Sequence, residues 1–558
     1  MARLVLVFLS LFLAIARADG GEARFPVVAT IATGAAPHGM RIVGDRLYIA
    51  AAGADAIEVA DLASGRIVER WPVAHTPLGL VRSPHGWYVT QFRGEALVAL
   101  DDRGRPTGDS IPVGKSPSLF APHKVGDLAY VVSEFADRLS VLDTASGAIV
   151  ARYETGKRPY PADVTHDGVL AFVPNREEGT VSVIDLLNRR ERARVPVCKE
   201  PEGGALTADE VSYLVACAGG DRIVAINTAS FGVTGTLGKG VGPRPFSVAV
   251  SPDGRFAFTN NAGGETVTVF DPKRLTVLDA VTVGAKPIVL RVAGDRLYVA
   301  SEDANTVSVI AIPPPPPPVG TAKNEVLVLG MIHGNFRTSE RYSLAVLERL
   351  IRAYDPDYVV AEIPPNRLDA AMAGFKATGR VSEPRLSVFP EYTDLLFPLS
   401  RSLDFTIIPA AAWNEPMNDY RNAMLARIRA DPRRKADWAA YRAGMAHLAA
   451  AVRGRADDPC FIHSTAYDQA TREAFEPYDR LFNEELGPGG WSHINAAHYA
   501  LIERALEAHR GEGKRFLITF GASHKYWFLE HLRQRDDITL LDARPFLDAV
   551  LKEPCPAP

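Results

Sequence analysis

The chain has 558 residues, 47% of them hydrophobic and 23% charged, a globular composition in a chain too long for one ordinary core. Its formal net charge is −4, and it has no lysine- or arginine-rich block. The electrostatic footprint of a nucleic-acid binder is therefore excluded.

At the N-terminus, Arg3 precedes an apolar run from Leu4 to Ile15, and Ala16-Arg17-Ala18 follows. This pattern predicts a signal peptide over residues 1–18, cut after Ala18, and a periplasmic or secreted protein. The run is short for a spanning helix, and no later segment is apolar enough to span. Four cysteines suit that compartment, Cys198 and Cys217 in the first half and Cys460 and Cys555 in the second. Sequence leaves open two local disulfides or buried free thiols.

A proline recurs at Pro37, Pro77, Pro117, Pro159, Pro201, Pro245 and Pro287, at intervals of 40 to 44 residues. Around each, alternating strands return, as in Gly44-Asp-Arg-Leu-Tyr-Ile-Ala50 and Gly294-Asp-Arg-Leu-Tyr-Val-Ala300. Others end on aspartate, as in Arg138–Asp143 and Val181–Asp185. Period-2 strands at this spacing predict seven four-stranded blades over residues 25–312. The last repeat is one strand short, and Val27–Thr33 supplies the missing outer strand, so the ring closes by pairing the two ends. This half resembles the YVTN family of propeller repeats. The axial channel is expected to be lined by His38, Leu78, Ser118, Ala162-Asp163, Glu202, Phe246 and Ile288. Asp163, Glu202 and His38 are too scattered for a calcium-dependent lactonase site, so the propeller is read as a binding or scaffolding element, with a protein partner as one occupant.

Pro313–Pro318 is a polyproline run, a stiff linker. Residues 319–558 change character, and eight of the 13 histidines lie there. Val326–Leu329 and Asp357–Glu362 read as buried strands joined by a helix over 339–353, a βαβ unit with parallel strands. Helix 495–509, strand 516–520, helix 525–533 and strand 538–541 follow. The fold class is therefore multidomain: an all-β seven-bladed propeller, then an α/β domain with a mainly parallel sheet.

His333 lies just past the first of these strands, Glu362 ends the second, and His524 lies past the third. Ligands gather outside the carboxyl ends of parallel strands. The glycines Gly330 and Gly521 are expected to let the chain turn sharply there. A single histidine after a strand is commonly structural. Two imidazoles and a carboxylate at equivalent ends suit a divalent transition metal with open positions. Asp542 ends a further strand and offers another ligand or a partner of one. His498, one helical turn after Asn495, offers another or merely packs. His463 and His493 lie in an aromatic, charged insert read as lid or surface, and Pro390-Glu-Tyr-Thr-Asp394 carries carboxylates without a fixed direction.

Gly330-Met-Ile-His333, Val359-Val-Ala-Glu362 and Gly521-Ala-Ser-His524 resemble the motifs of the TraB and Tiki superfamily, which includes the erythromycin esterases. The resemblance covers most of residues 324–547. It implies hydrolysis of a peptide, ester or lactone, with His333, Glu362 and His524 holding manganese, cobalt or zinc, or activating water directly. Members often carry an arginine where this chain has Ile494-Asn495, and Arg337 and Arg341 are expected to stabilise the oxyanion instead. The alternative is a non-enzymatic interaction protein with a degenerate second domain.

Overall fold

The fold is described from a computed structural model covering residues 24–122, 127–315, 317 and 320–556. The signal-peptide reading lies outside the described residues. Seven antiparallel four-stranded sheets follow one another; six start at one of the recurring prolines, and the fourth starts at Asp163, Pro159 making only an isolated bridge to Asn175. The last sheet is completed by Val27–Ala32, which pairs antiparallel with Thr306–Ala311 (Ile31 with Val307, Ala32 with Thr306). That pairing joins the two ends of the repeat array and leaves no unpaired edge between them.

Local chemistry repeats with the blades. The residue before each proline (Ala36, Thr76, Ser116, Arg158, Glu200, Arg244 and Lys286) has a φ of 52–59°, an unfavourable left-handed conformation for a side chain. In every blade its carbonyl accepts a backbone hydrogen bond of 2.9–3.1 Å from the turn between the second and third strands, which offsets that strain. The aspartates that close third strands accept the next turn's amides, as at Asp61 from Ser64 (2.8 Å) and Asp271 from Lys273 (2.8 Å). These are Asx turns that aim the chain into the outer strand.

The second domain is a doubly wound sheet. Its strands are β1 (Asn324–Met331), β2 (Tyr358–Ala361), β3 (Thr406–Pro409), β4 (Arg515–Gly521) and β5 (Ile538–Leu541), and the sheet order is β3-β2-β4-β1-β5, with every pairing parallel. Sequence reasoning found four of these strands and missed β3. Leu327, Leu329, Val359 and Leu517 pack under helix α1 (Leu344–Tyr354), helix α2 (Pro365–Thr378) and Leu547. Val326, Val328, Val360, Phe516 and Ile518 pack on the other face, under helix α6 (Trp491–Ala508) and helix α7 (Lys525–Leu532). Burial on both faces is why these strands read as unbroken apolar runs. Between β3 and α6 come three long helices, α3 (Glu415–Ala430), α4 (Lys435–Ala451) and α5 (Thr465–Phe482).

Both cysteine pairs are disulfides, Cys198–Cys217 within the propeller and Cys460–Cys555 within the second domain. No helix among the described residues is long and apolar enough to cross a membrane. The domains pack directly on one another. Met417 and Ile494 join the apolar cluster of Phe172, Tyr213 and Val215. Arg192 pairs with Glu415 at 2.6 Å and Arg190 with Asp419 at 3.1 Å. Between the domains lies a cavity of about 1170 Å³, lined by propeller loops on one side and by Ala412–Met417 and one face of α6 on the other.

Candidate functional site

The sheet order explains how three distant residues meet. β4 lies between β1 and β2, so His524, after β4, stands between His333, after β1, and Glu362, after β2. The Glu362 carboxylate accepts the Gly521 amide at 2.8 Å. Its Oε2 lies 3.8 Å from His333 Nε2, too far for a direct hydrogen bond. Gly521 and Gly330 are not in the left-handed region. A Cβ on Gly521 would lie 2.7 Å from His333 Nε2, and one on Gly330 would lie 3.0 Å from Ala522. Their role is close approach rather than the sharp turn expected from sequence. His333 itself takes the strained conformation, at φ 49°, as residues in functional sites often do.

Each imidazole is oriented by a buried partner. His333 Nδ1 lies 2.6 Å from Glu391 Oε1, and the Glu391 side chain is fully buried. His524 Nδ1 lies 2.7 Å from Asn495 Oδ1, whose amide nitrogen donates to the Trp491 carbonyl. Both partners are acceptors there, so both rings carry their proton on Nδ1 and present Nε2 as a lone pair. That tautomer is the one a metal ligand or a general base requires. The His524 ring is stacked on Trp491, with centroids 4.9 Å apart. The Tyr392 hydroxyl ties the strands together, accepting from Glu362 N at 3.0 Å and donating to the Thr519 carbonyl at 3.1 Å.

His498 joins from α6. Glu362, His498 and His524 place one donor atom each within 4.8 Å of one another, as three ligands of one ion would. His498 Nδ1 accepts the Ala412 amide at 2.9 Å. Its Nε2 is buried and has no partner among the described residues. The structure thus brings His498 to the cluster, as its reading as a candidate ligand expects. Burial pushes its pKa well below the usual histidine range, and nearby His524 adds to the shift, so the ring stays neutral.

Burial likewise lowers the pKa of His524, reinforced by His333 and opposed by Glu362. At His333 burial also disfavours the charged form. The Glu391 hydrogen bond and the charges of Glu362 and Glu391 outweigh it, and the pKa is raised. His333 is one-third exposed and Glu362 11% exposed, whereas His524 is 8% exposed, so solvent reaches the group from the His333 side.

Other candidates lie elsewhere. Arg337 pairs with Asp394 at 3.4 Å, and Arg341 with Asp458 at 2.5 Å. Both side chains are half-exposed and turned to these acids, which corrects the expectation that they serve the oxyanion. Asp542 is exposed just past the edge strand and accepts the Arg544 amide at 3.0 Å; it is not among the residues brought together as possible ligands. His463 is no lid: it accepts the Gly330 amide at 3.0 Å and donates to the Pro459 carbonyl at 2.8 Å. His493 bonds the Gly487 carbonyl at 2.8 Å and lines the interdomain cavity.

Glu391 was visible in the sequence only as one of the carboxylates of 390–394, without a direction. Its segment, Glu391–Leu396, is a π-helical turn, a feature common at functional sites. In the propeller, His38 is held by burial at a pKa of about 4. Glu202 is buried, 3.1 Å from Arg176, and burial pushes its pKa up to about 8.

The architecture is thus that of a seven-bladed propeller joined to a parallel α/β domain with a buried histidine–glutamate cluster. No protein-family model matches the sequence, and no curated protein is significantly similar to it. Among solved structures, the chain is similar to Kuenenia stuttgartiensis hydrazine synthase, at 17% identity over 53% of this chain and 99% of that one, with a TM-score of 0.46. It is also similar to virginiamycin B lyase from Staphylococcus aureus, at 14% identity over 52% of this chain and 100% of that one, with a TM-score of 0.44.

Proposed function

We propose that the second domain is a hydrolase of a peptide, ester or lactone bond, with His333 Nε2, Glu362 and His524 Nε2 holding a divalent transition metal (manganese, cobalt or zinc). The observation that carries this reading is the pair of fixed tautomers. Glu391 and Asn495 each take an Nδ1 proton and leave two Nε2 lone pairs beside one carboxylate. An ion bound there would supply Lewis-acid polarisation and activate water.

The chain's own groups do the rest. Glu391 holds His333 in place and balances its charge. Gly521 N–H fixes one oxygen of Glu362. His498, whose buried Nε2 has no partner among the described residues, supplies the hydrogen bond for a developing oxyanion, the role expected of an arginine in the TraB and Tiki pattern. The propeller, packed against the second domain, orients substrate or recruits a protein partner. Two disulfides support an exported setting.

The test is metal content together with turnover of generic ester and peptide substrates in the presence of manganese, cobalt or zinc. His333→Ala and His524→Ala are expected to lose metal, whereas His498→Ala is expected to keep it and lose turnover. Unchanged metal content in both of the first two variants rejects the ligand assignment. The 3.8 Å gap between His333 and Glu362 also suits a water held between base and acid without metal. Turnover that survives chelation selects that second reading.

A further inference from the structure

The fourth residue after each recurring proline forms one ring around the propeller axis: Arg41, Val81, Ala121, Asp163, Ala205, Ala249 and Arg291. Ala121, Asp163, Ala205, Ala249 and Arg291 line an axial cavity of about 840 Å³. Arg41 and Arg291 sit on the neighbouring inner strands Pro37–Val43 and Pro287–Ala293. Both are mostly buried, and each has a buried Nε with no hydrogen-bond partner among the described residues.

The one acid of the ring, Asp163, offsets the Arg291 charge only in part. Asp163 spends Oδ1 on the Val164 amide at 2.9 Å and Oδ2 on the Leu206 amide at 2.8 Å. Burial, with the charge of Arg41 added, pushes the Arg291 pKa down to about 10. Two desolvated like charges side by side oppose folding unless something compensates them. Leu206 and Val250, one residue further along their strands, line both the channel and the interdomain cavity. The arginine pair therefore stands near the junction of the two spaces.

We propose that the axial channel is a binding site for a small molecule bearing a compact oxyanion, a carboxylate or a phosphate, held by the guanidinium group of Arg291 with the charge of Arg41 on the neighbouring strand beside it. The planar fork matches either group, and the cavity has the size of an ordinary small-molecule site. The rest of the lining mixes small apolar residues with Ser118, Tyr160 and Arg158, and the acids Glu134 and Glu302 stand elsewhere in it.

Thermal melting and calorimetric titration of the full chain test this, with inorganic phosphate, succinate, and sodium chloride at equal ionic strength. Phosphate or succinate is expected to raise the melting temperature saturably, and chloride is not. A response to only one of the two identifies the oxyanion. Arg41→Gln and Arg291→Gln are each expected to raise Kd by about tenfold or more. In anion-free buffer both should melt at or above the unsubstituted chain, because the like-charge pair is relieved. Arg433→Gln, at an exposed site, should leave Kd unchanged. Should Arg291→Gln fail to fold, Arg291→Lys keeps the charge, loses the fork and reads the same rise in Kd. No saturable response in the unsubstituted chain, or an unchanged Kd in both arginine variants, overturns the proposal.

Discussion

Gly521 leaves the space in which His333 and Glu362 face each other. A methyl group there would lie 2.7 Å from His333 Nε2, inside van der Waals contact, and must displace the ring. Gly521→Ala is expected to lower metal affinity by about 10–100-fold, the usual effect of disturbing a ligand's support, with the melting temperature little changed; metal titration measures it. Glu391 acts from behind the same ring. Since His333 must give up its proton to offer Nε2, activity should fall as pH drops through its raised pKa. Glu391→Gln removes the hydrogen-bonded charge that raises that value, so the acid limb of the pH–rate profile should move to lower pH. An unmoved limb would show that His333 does not govern it. His333 and Glu362 were legible because strand ends announce themselves in sequence. The role of Glu391 was not, since its direction depends on a π-helical turn with no sequence signature comparable to a glycine or proline.

The same asymmetry holds for elements. Blade strands are visible one by one as short runs bounded by turns at a regular spacing, even where, as at Gly86–Gln91, both faces are buried and Tyr88 and Val89 pack in different clusters. β3 and the helices α2 to α5 lie in the stretch between the first and second motif groups. Of these helices α2 packs on the sheet, α3 and α4 bury few or no residues on a single apolar stripe, and α5 buries Ala470, Ala474, Tyr478 and Phe482, partly against its neighbours. The Cys460–Cys555 disulfide closes a loop of 95 residues that begins in this stretch. It ties the C-terminal tail to the short turn before α5. By loop-closure entropy a ring of that size is worth roughly 4–5 kcal/mol, strain aside. Cys460→Ser with Cys555→Ser should therefore lower the calorimetric transition of the second domain and leave that of the propeller in place. A drop in the propeller transition alone would contradict this account.

At the scale of the whole molecule the domains are coupled, not merely tethered by the prolines. Met417 enters the propeller's apolar cluster, and Arg192 and Arg190 hold the start of α3. Met417→Asp would bury an uncompensated charge in that contact. The variant is expected to separate the domains, seen as a larger radius of gyration by small-angle scattering and faster proteolysis near 313–320, while each domain keeps its own melting transition. An unchanged radius would mean that the ionic contacts alone suffice.

By itself, the sequence determined the seven blades, the closure of the ring by its two ends, the parallel character of the second sheet and the three residues at its rim. Each rests on periodicity or on the end of a strand, and these are local properties of the chain. Only the tertiary structure decided that His498 joins Glu362 and His524, that Glu391 backs His333, that Arg337 and Arg341 turn to other acids, and that Arg41 and Arg291 lie on neighbouring inner strands. Those outcomes depend on which groups far apart in sequence come within hydrogen-bonding distance, and no local pattern encodes that distance.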